Sequence, residues 1–361
     1  MSKRKITLKA IAQRAGLSIA SVSRVIHTPH LTHRDTQSRV NQAISELNFD
    51  AKELFKNYHA VNQSNTILVI DNQLIPNSLI NHGIEYKAKM EGYKLLYLRF
   101  IYFNENEIQQ IISYTINHHL DGILIINDSP YLKRLLQFQH ALPPIVLINQ
   151  FSMSLPCIYF DHLSIGYQAT EYLLSLGHRN IAILLAEEER NEVYQLFNGY
   201  QQALARANIM VNDKLIAYQS VSYSACKTAL RTMMSSTQPP SAIICTDCLS
   251  LNFLDREQQS NSSSGYSIST ESAICGVIDQ CRAMKINIPE RLSLLQFVHD
   301  NSHKPYQPLN HITAIYKPLF EMGEQAMLLL VSMLNCDQPI RLAKMIECEL
   351  IIRHSTTKLN Q

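Results

Sequence analysis

Glycine is scarce in this chain, with ten residues among 361. None of them forms the G-x-x-x-x-G-K-[ST] loop or the G-x-G-x-x-G fingerprint that binds nucleotide phosphates. The HExxH pattern of zinc proteases and the GxSxG turn of serine hydrolases are also absent. The sequence therefore argues against an enzyme and predicts neither a catalytic residue nor a cofactor.

Long apolar runs are absent as well. No stretch reaches the roughly 18 residues that a membrane span needs, and the chain begins with the charged segment MSKRKITLKA. We therefore expect a cytoplasmic protein. Its 46% hydrophobic and 17% charged residues are typical of folded globular proteins, and 361 residues suffice for two or three domains.

The eight cysteines are scattered along the chain, which suits a reducing compartment better than a disulfide framework. Cys245 and Cys248, in CTDC, have the spacing of metal ligands, but no second tight pair completes a zinc site. The apolar segment AIIC that contains the first of them is typical of a buried strand. We predict no metal site.

Positive charge is concentrated at the front of the chain. Residues 1–60 contain ten Lys and Arg against four Asp and Glu, whereas residues 61–361 contain 22 against 26. A small basic module on a mildly acidic body indicates a polyanionic partner for the front end alone.

Residues 7–27 have helical periodicity interrupted by a turn signal. Thr7 is a candidate N-cap, Gly16 can adopt the positive φ that ends a helix, and Ser18 can cap the next helix. The apolar face of the first helix is formed by Leu8, Ile11, Ala12 and Ala15.

The second of these helices has two distinct faces, and a third helix is predicted after Thr32. The inward face of the second contains Val22, Val25 and Ile26, and the outward face contains Ala20, Arg24 and His27. Three short amphipathic helices with a glycine turn between the first two predict a helix-turn-helix. A compact helical bundle without DNA is the alternative, and the basic charge favours DNA.

Residues 6–49, ITLKAIAQRAGLSIASVSRVIHTPHLTHRDTQSRVNQAISELNF, closely resemble the N-terminus of the LacI/GalR family of bacterial repressors. By position, the resemblance implies that Ile19, Ala20 and Arg24 face base edges. The planar fork of Arg24 suits the two acceptors of guanine, whereas the other two offer only apolar contact. The resemblance also implies phosphate contacts or helix support from Thr7, Ser18, Ser21, Ser23 and His27.

Residues 50–65 correspond to the hinge of that family, which folds into a short helix on DNA and inserts a leucine into the minor groove. This chain has Tyr58 at that position and Ala51 where a proline is usual. A tyrosine can act as an apolar wedge. A flexible linker is the alternative.

The body, residues 66–361, alternates apolar runs with segments of helical length. The runs are 66–70, 122–126, 144–148, 181–185, 242–245 and 292–297, and the helical segments include 162–176, 195–207 and 278–286. This alternation predicts parallel strands joined by crossover helices. The fold class expected is an N-terminal all-α helix-turn-helix domain (1–49), a hinge, and an α/β periplasmic-binding-protein-like body of two doubly wound parallel-sheet subdomains.

Two polar stretches interrupt this pattern. Residues 252–272 are Ser-rich and without periodicity, which predicts an inserted surface loop. HDNSH, at 299–303, has two histidines four residues apart, but the neighbouring KPYQP makes a helix doubtful, and we interpret the segment as a polar loop.

The body resembles the cytidine-repressor branch of the same family, in LPPIVLINQF, YLLSLGHRNIAIL, PPSAIICTDCLSLN, YKPLFEMGEQAMLLL and ECELIIRHST. That resemblance implies control of nucleoside uptake and catabolism genes and release from DNA by cytidine. It also implies a homodimer on a palindromic operator and cooperation with the cyclic-AMP receptor protein. The chain lacks the heptad tail of tetrameric relatives, which favours the dimer.

Several positions that bind the effector in the family are altered here. The aromatic pair after the first strand falls at Pro76 and Asn77, and an Arg that grips the ligand falls at Leu196. QFVHDN is two residues longer than the usual segment, so Asp300 is either displaced or lies on a longer loop. The candidate effector residues are Asn77, Asn149, Asp161, Leu196, Asp247 and Asp300.

Asn149 and Asp161 still match pocket positions of the family, but either could equally cap the end of a strand. The altered positions leave a second hypothesis open. It is a LacI-type regulator with a different effector or none, controlled by a protein partner. A ligand-binding protein or enzyme on the same body is the third, disfavoured by the missing leader and catalytic motifs.

Overall fold

The structure is a computed structural model that describes residues 8–27, 32–46, 64–71, 78–99, 111, 114–115, 120–127, 135, 142–186, 191–218, 223–246, 273–299, 311–336 and 342–359. The hinge up to residue 63, the insertion at 252–272 and most of HDNSH lie outside these residues. So do five predicted site residues, which are Thr7, Tyr58, Asn77, Asp247 and Asp300. Within the described part, no helix is both long and apolar enough to cross a membrane.

The helices and strands follow the predicted alternation. The helices are α1 (Leu8–Ala15), α2 (Ile19–His27), α3 (Arg34–Glu46), α4 (Ser78–Met90), α5 (His162–Ser175), α6 (Asn191–Arg206), α7 (Tyr223–Met234), α8 (Ala273–Ala283) and α9 (Leu319–Asn335). The strands are β1 (Thr66–Asp71), β2 (Lys94–Arg99), β3 (Gly122–Ile126), β4 (Ile145–Ile148), β5 (Cys157–Tyr159), β6 (Ile181–Leu184), β7 (Ile216–Ala217), β8 (Ala242–Cys245), β9 (Ser293–His299), β10 (Thr313–Lys317), β11 (Ala343–Met345) and β12 (Glu349–Ile351).

Helices α1 to α3 form a three-helix module with a small core of its own. Each helix contributes apolar side chains at helical spacing, as the sequence predicts. The buried side chains of this core are Ile11, Ala12, Ala15, Val22, Val25, Val40 and Ala43.

The strands form two six-stranded sheets, in the orders β11-β5-β4-β3-β1-β2 and β12-β10-β9-β8-β6-β7. In the first sheet, the strands β5, β4, β3, β1 and β2 are parallel to their neighbours. In the second sheet, β10, β9, β8, β6 and β7 are parallel to their neighbours, whereas β12 is antiparallel to β10. Central strands such as β3, β4, β6 and β8 are buried along their whole length. The predicted fold class of two parallel-sheet subdomains is confirmed.

The chain divides into two compact units, neither of which is a continuous half of it. One comprises Met1–Tyr159 and Phe320–Lys344, and the other comprises Phe160–Leu319 and Met345–Gln361. The chain therefore passes from one unit to the other three times. Each unit includes a segment from the C-terminal part of the chain. The first unit includes α9 and β11, and the second includes β12.

All six predicted strands are present, but six others lacked a clear signal. The missed strands β2, β5, β7, β10, β11 and β12 include the outer strands of both sheets, several of which are only two or three residues long. The helix predicted at 278–286 was misplaced, because it spans Ala273–Ala283 and is followed by a turn in which Lys285 has a φ of 56°.

Two glycines allow α5 and α6 to pack backbone against backbone. A Cβ built on Gly166 would overlap the carbonyl oxygen of Leu196, and one built on Gly199 would overlap that of Leu163. Because both obstacles are main-chain atoms of packed helices, a rotamer change cannot relieve either overlap.

We expect Gly199→Ala to lower the free energy of unfolding by about 1–3 kcal/mol, the usual cost of overpacking. Intrinsic helix propensity alone would favour alanine by about 1 kcal/mol, so destabilisation isolates the helix contact. Chemical denaturation of the full chain measures it. Gln202→Ala, on the exposed side of the same helix, is the control and should be close to neutral. Equal stability of the two variants would contradict the close packing.

Candidate nucleic-acid interface and effector-binding edges

The turn between α1 and α2 is built around Gly16, whose φ is 63° as the sequence predicts. The backbone N–H of Leu17 donates to the carbonyl of Ala12 at 2.9 Å, which closes the end of α1. From α3, Arg39 Nη2 donates to the carbonyls of Ala15 (2.9 Å) and Gly16 (3.3 Å). One guanidinium therefore satisfies carbonyls that the end of α1 leaves unpaired and ties the third helix to the turn.

The start of α2 is capped by Ser18, as predicted. Its Oγ accepts a hydrogen bond from the backbone N–H of Ser21 at 3.0 Å and lies 2.8 Å from the Ser21 Oγ. Both hydroxyls are therefore part of the local structure that fixes where α2 begins.

The two faces of α2 are separated as the sequence predicts. Val22 is fully buried and Val25 is 6% exposed in the core of the module. Ile19 is 48% exposed, and Ala20 and Arg24 are exposed as well. The backbone of Ser23 and His27 lies on the same helix, but their side chains are outside the described set.

A second candidate region is the edge at which the parallel strands of the first unit end. Asn149 directly follows β4, and Asn127 directly follows the neighbouring strand β3, one position beyond the paired residues Ile126 and Ile148. Asn149 Nδ2 donates to Asn127 Oδ1 at 2.9 Å, so the two side chains form a pair. Both residues have positive φ, 64° for Asn127 and 59° for Asn149.

This asparagine pair (Asn127 and Asn149) is only half satisfied. Among the described residues, the buried Nδ2 of Asn127 and Oδ1 of Asn149 have no hydrogen-bond partner. A buried amide group without a partner costs about 1–3 kcal/mol. The pair thus has one buried donor and one buried acceptor without a partner in the described part of the chain. It lies at the carboxyl edge of a parallel sheet, where ligands of doubly wound folds bind.

Asn127 was missed by the sequence analysis, although a polar residue directly after the buried run GILII was a usable signal. Asp71 was missed in the same way at the end of β1. Its side chain is fully buried and accepts a hydrogen bond from Asn81 Nδ2 of α4 at 3.2 Å.

In the second unit, Asp161 is the N-cap of α5. Its Oδ1 accepts from the backbone N–H of Ser164 at 3.0 Å, and its Oδ2 accepts from the Ser164 Oγ at 2.6 Å. Both carboxylate oxygens of Asp161 are therefore engaged in the N-cap of α5. Nearby, the buried His162 Nε2 lies 4.0 Å from the Glu192 carboxylate at the start of α6.

Leu196 lies on the second turn of α6 and is 5% exposed. Its carbonyl is the main-chain atom against which Gly166 of α5 packs. The position where the family has a ligand-gripping Arg is thus occupied by a buried aliphatic side chain at a helix–helix contact.

Cys245 lies in β8 and is 2% exposed, in the same apolar cluster as Cys226 and Cys281. Burial raises the pKa of Cys245 well above the ordinary value and that of Cys281 to about 11. These thiols stay protonated at neutral pH and pack as small hydrophobic groups. Cys248, its partner in CTDC, lies outside the described residues.

Family comparisons agree with this architecture. The family of bacterial regulatory proteins named after LacI matches residues 7–51. The periplasmic binding proteins and sugar-binding domain of the LacI family match residues 77–249, and the periplasmic binding protein-like domain matches residues 170–356. The chain belongs to the LacI family and is a DNA-binding transcriptional repressor, not an enzyme.

Among individual relatives, the HTH-type transcriptional repressor CytR of Escherichia coli K12 is 29% identical over 358 residues, 98% of this chain and 97% of CytR. PurR of Vibrio campbellii is 23% identical over 98% of this chain and 99% of its own length.

Solved structures support the same fold. The transcriptional regulator CelR in complex with cellobiose matches with a TM-score of 0.62 and 19% identity, over 97% of this chain and all of CelR. The Escherichia coli repressor AscG matches with a TM-score of 0.66 and 20% identity, over 81% of this chain and 99% of AscG.

We expect Arg39→Met to loosen the helix-turn-helix, because it keeps the aliphatic stem but removes the donors to Ala15 and Gly16. Hydrogen exchange of the α1 and turn amides in the full chain should quicken severalfold, equivalent to about 1 kcal/mol of local opening free energy. Arg39→Lys keeps the charge without the planar fork and should give a smaller change. Unchanged exchange in Arg39→Met would mean that the two hydrogen bonds do not hold the turn.

Proposed function

We propose that the protein is a cytoplasmic, homodimeric repressor that binds a palindromic operator upstream of nucleoside uptake and catabolism genes. The observation that carries the DNA part is the division of α2. One face is sealed in the core by Val22 and Val25, and the other exposes Ile19, Ala20 and Arg24 on a basic module. In a helix-turn-helix, the first residues of the second helix meet base edges in the major groove.

Arg24 is the polar reader in this proposal. Its five donors in a planar fork match the N7 and O6 acceptors of guanine. The hydroxyls of Thr7, Ser18, Ser21 and Ser23 and the imidazole of His27 contact phosphates or support the helix. Ser18 and Ser21 support it through the cap. Only one of their hydroxyls donates in the Oγ–Oγ hydrogen bond, so the other keeps its hydrogen for a phosphate oxygen. Tyr58 inserts into the minor groove from the hinge.

The effector part of the proposal rests on the similarity to CytR and on the asparagine pair. Cytidine or a related nucleoside would satisfy the orphan donor of Asn127 and the orphan acceptor of Asn149, since a nucleoside offers acceptors and donors on both base and sugar. Binding lowers operator affinity if the ligand prefers one of two conformations of the body, since only a difference in affinity shifts an equilibrium. Asn77, Asp247 and Asp300 would complete the contacts.

A homodimer fits a palindromic operator because two-fold protein symmetry matches two half-sites. In the first unit, α4 exposes Tyr86 and Met90, which are 52% and 67% accessible. The two side chains are one helical turn apart and form a small apolar surface, which we assign to the contact with the second subunit. Cooperation with the cyclic-AMP receptor protein is the further partner that the similarity to CytR suggests.

The alternative is a LacI-family regulator with a different effector or none, controlled by a protein partner. Two observations favour it. Leu196 is buried where the family has a ligand-binding Arg, and both carboxylate oxygens of Asp161 are engaged by Ser164. A site that loses charged hydrogen-bonding groups forfeits about 1–3 kcal/mol for each.

We expect Arg24→Ala to cost about 1–3 kcal/mol of operator binding and to relax base preference at one position per half-site. Selection of operators from a random library, followed by gel shift at fixed salt, measures both. Lys9→Ala, which removes an exposed charge from α1, is the matched control. It should weaken all sequences alike and flatten the salt slope by about one unit.

If Arg24→Ala retained the full operator preference, the assignment of α2 as the recognition helix would be wrong. If the wild-type protein selected no sequence at all, the proposed repressor function would fail, and a ligand-binding protein without operator would be favoured.

We expect titration of the protein with cytidine to give a measurable heat of binding. The unfolding temperature should rise with the cytidine concentration, because a ligand that binds only the folded state stabilises it. Asn149→Ala should weaken that binding by about 1–3 kcal/mol. Asn208→Ala is the matched control, since Asn208 also has positive φ (56°) but lies on an exposed turn after α6. Neither heat nor thermal shift with millimolar nucleosides would exclude the nucleoside effector and leave the alternative.

A further inference from the structure

The first two helical residues of α2 are apolar, which is unusual for a surface that reads DNA. Ile19 leaves 48% of its surface accessible, although it directly follows the Ser18 cap. Ala20 beside it is also exposed. Neither side chain carries a donor or acceptor, so neither can distinguish bases by hydrogen bonds.

The major groove offers one apolar group, the C5 methyl of thymine, and 5-methylcytosine presents the same methyl. We propose that Ile19 recognises a C5-methyl pyrimidine in each half-site. This proposal rests on the proposed operator binding and adds the base contact that Ile19 makes. Ala20 is short enough to let that base edge approach. The base pair is therefore selected by a methyl group and not by its hydrogen-bonding pattern.

The position of that pyrimidine follows from the helix. Ile19 and Arg24 are five residues apart, which is about 7.5 Å along the axis at about 1.5 Å per residue. Successive bases rise by about 3.4 Å. With α2 lying along the groove, this axial distance is about two base-pair steps, and the two side chains also differ by about 140° in direction around the helix axis.

The capped start of α2 makes this contact specific. Ser18 and the backbone N–H of Ser21 fix the first turn, and the buried Val22 fixes its rotation about the axis. The isoleucine therefore cannot turn inward to join the core without breaking the cap or displacing Val22. Its exposed surface is held outward at the end of the helix.

The test uses the full-length protein on its selected operator, with each thymine of a half-site replaced in turn by deoxyuridine. Deoxyuridine lacks only the C5 methyl and keeps every hydrogen-bonding group. One replacement per half-site should weaken binding about fourfold, the effect of one lost buried methyl, and both half-sites together about fifteenfold. At that position the order of affinity should be thymine equal to 5-methylcytosine, above deoxyuridine equal to cytosine.

Ile19→Ala should abolish this difference between thymine and deoxyuridine. Because Ile19 is half exposed, the variant should unfold at the wild-type temperature, which is checked first. Arg24→Ala is the control, since it should lose the guanine preference and keep the methyl dependence.

Two results would overturn the inference while the proposed function stands. One is an operator bound specifically with every deoxyuridine replacement neutral. The other is a methyl dependence that persists undiminished in Ile19→Ala. Failure to prefer any operator over random DNA would instead refute the proposed repressor function.

Discussion

The body of this protein depends on the need to cover parallel strands on both faces. A parallel strand in a doubly wound fold carries apolar side chains above and below the sheet, so helices must cover both faces. Here β3, β4, β6 and β8 are wholly buried, and α5 approaches α6 so closely that glycine is required at Gly166 and Gly199. With the faces sealed, the carboxyl ends of the strands are where polar side chains can gather.

The same constraint explains why it is difficult to tell whether a polar side chain at a strand end binds a ligand or stabilises the fold. Asp161 both ends a connection from β5 and caps α5, and Ser164 engages both of its carboxylate oxygens. The asparagine pair also has a structural reason to be present, because asparagine tolerates positive φ better than most residues. What capping and backbone geometry leave unexplained is the orphan donor of Asn127 and the orphan acceptor of Asn149, and those two atoms are the strongest structural support for a ligand.

The DNA-binding module meets a different constraint, because three short helices have little apolar surface to bury. Among the side chains that the structure describes, its core contains no aromatic residue, and four of its members are alanine or valine on α2 and α3. Polar groups must therefore help to hold the helices. Arg39 bonds two carbonyls at the end of α1, and Ser18 caps α2. Val22 and Val25 do the packing of α2, and Ile19, Ala20 and Arg24 are exposed.

The sequence could predict the module and the central strands because each signal there is local. Turn glycine, cap and periodicity lie within about twenty residues, and long apolar runs such as GILII need no partner to be recognised. The outer strands have no such local signal. Three-residue strands such as β5 and β11 have no period of their own, and β12 depends on the antiparallel partner that β10 supplies.

The effector edge could not be predicted to the same depth because its residues come together only through the sheet. Asn127 and Asn149 are 22 positions apart in sequence, yet they meet since β3 and β4 pair in parallel with Ile126 beside Ile148. Position-by-position resemblance locates Asn149 but cannot reveal its partner, because the partner follows from strand register. At Leu196, resemblance locates a position where the family binds its ligand, but in this chain the position is part of a helix contact. Gly166 allows α5 to approach the main chain of Leu196. The residues proposed to face base edges are therefore contained in six consecutive positions, 19–24, whereas the residues proposed for an effector are distributed over strand ends that packing and capping also use.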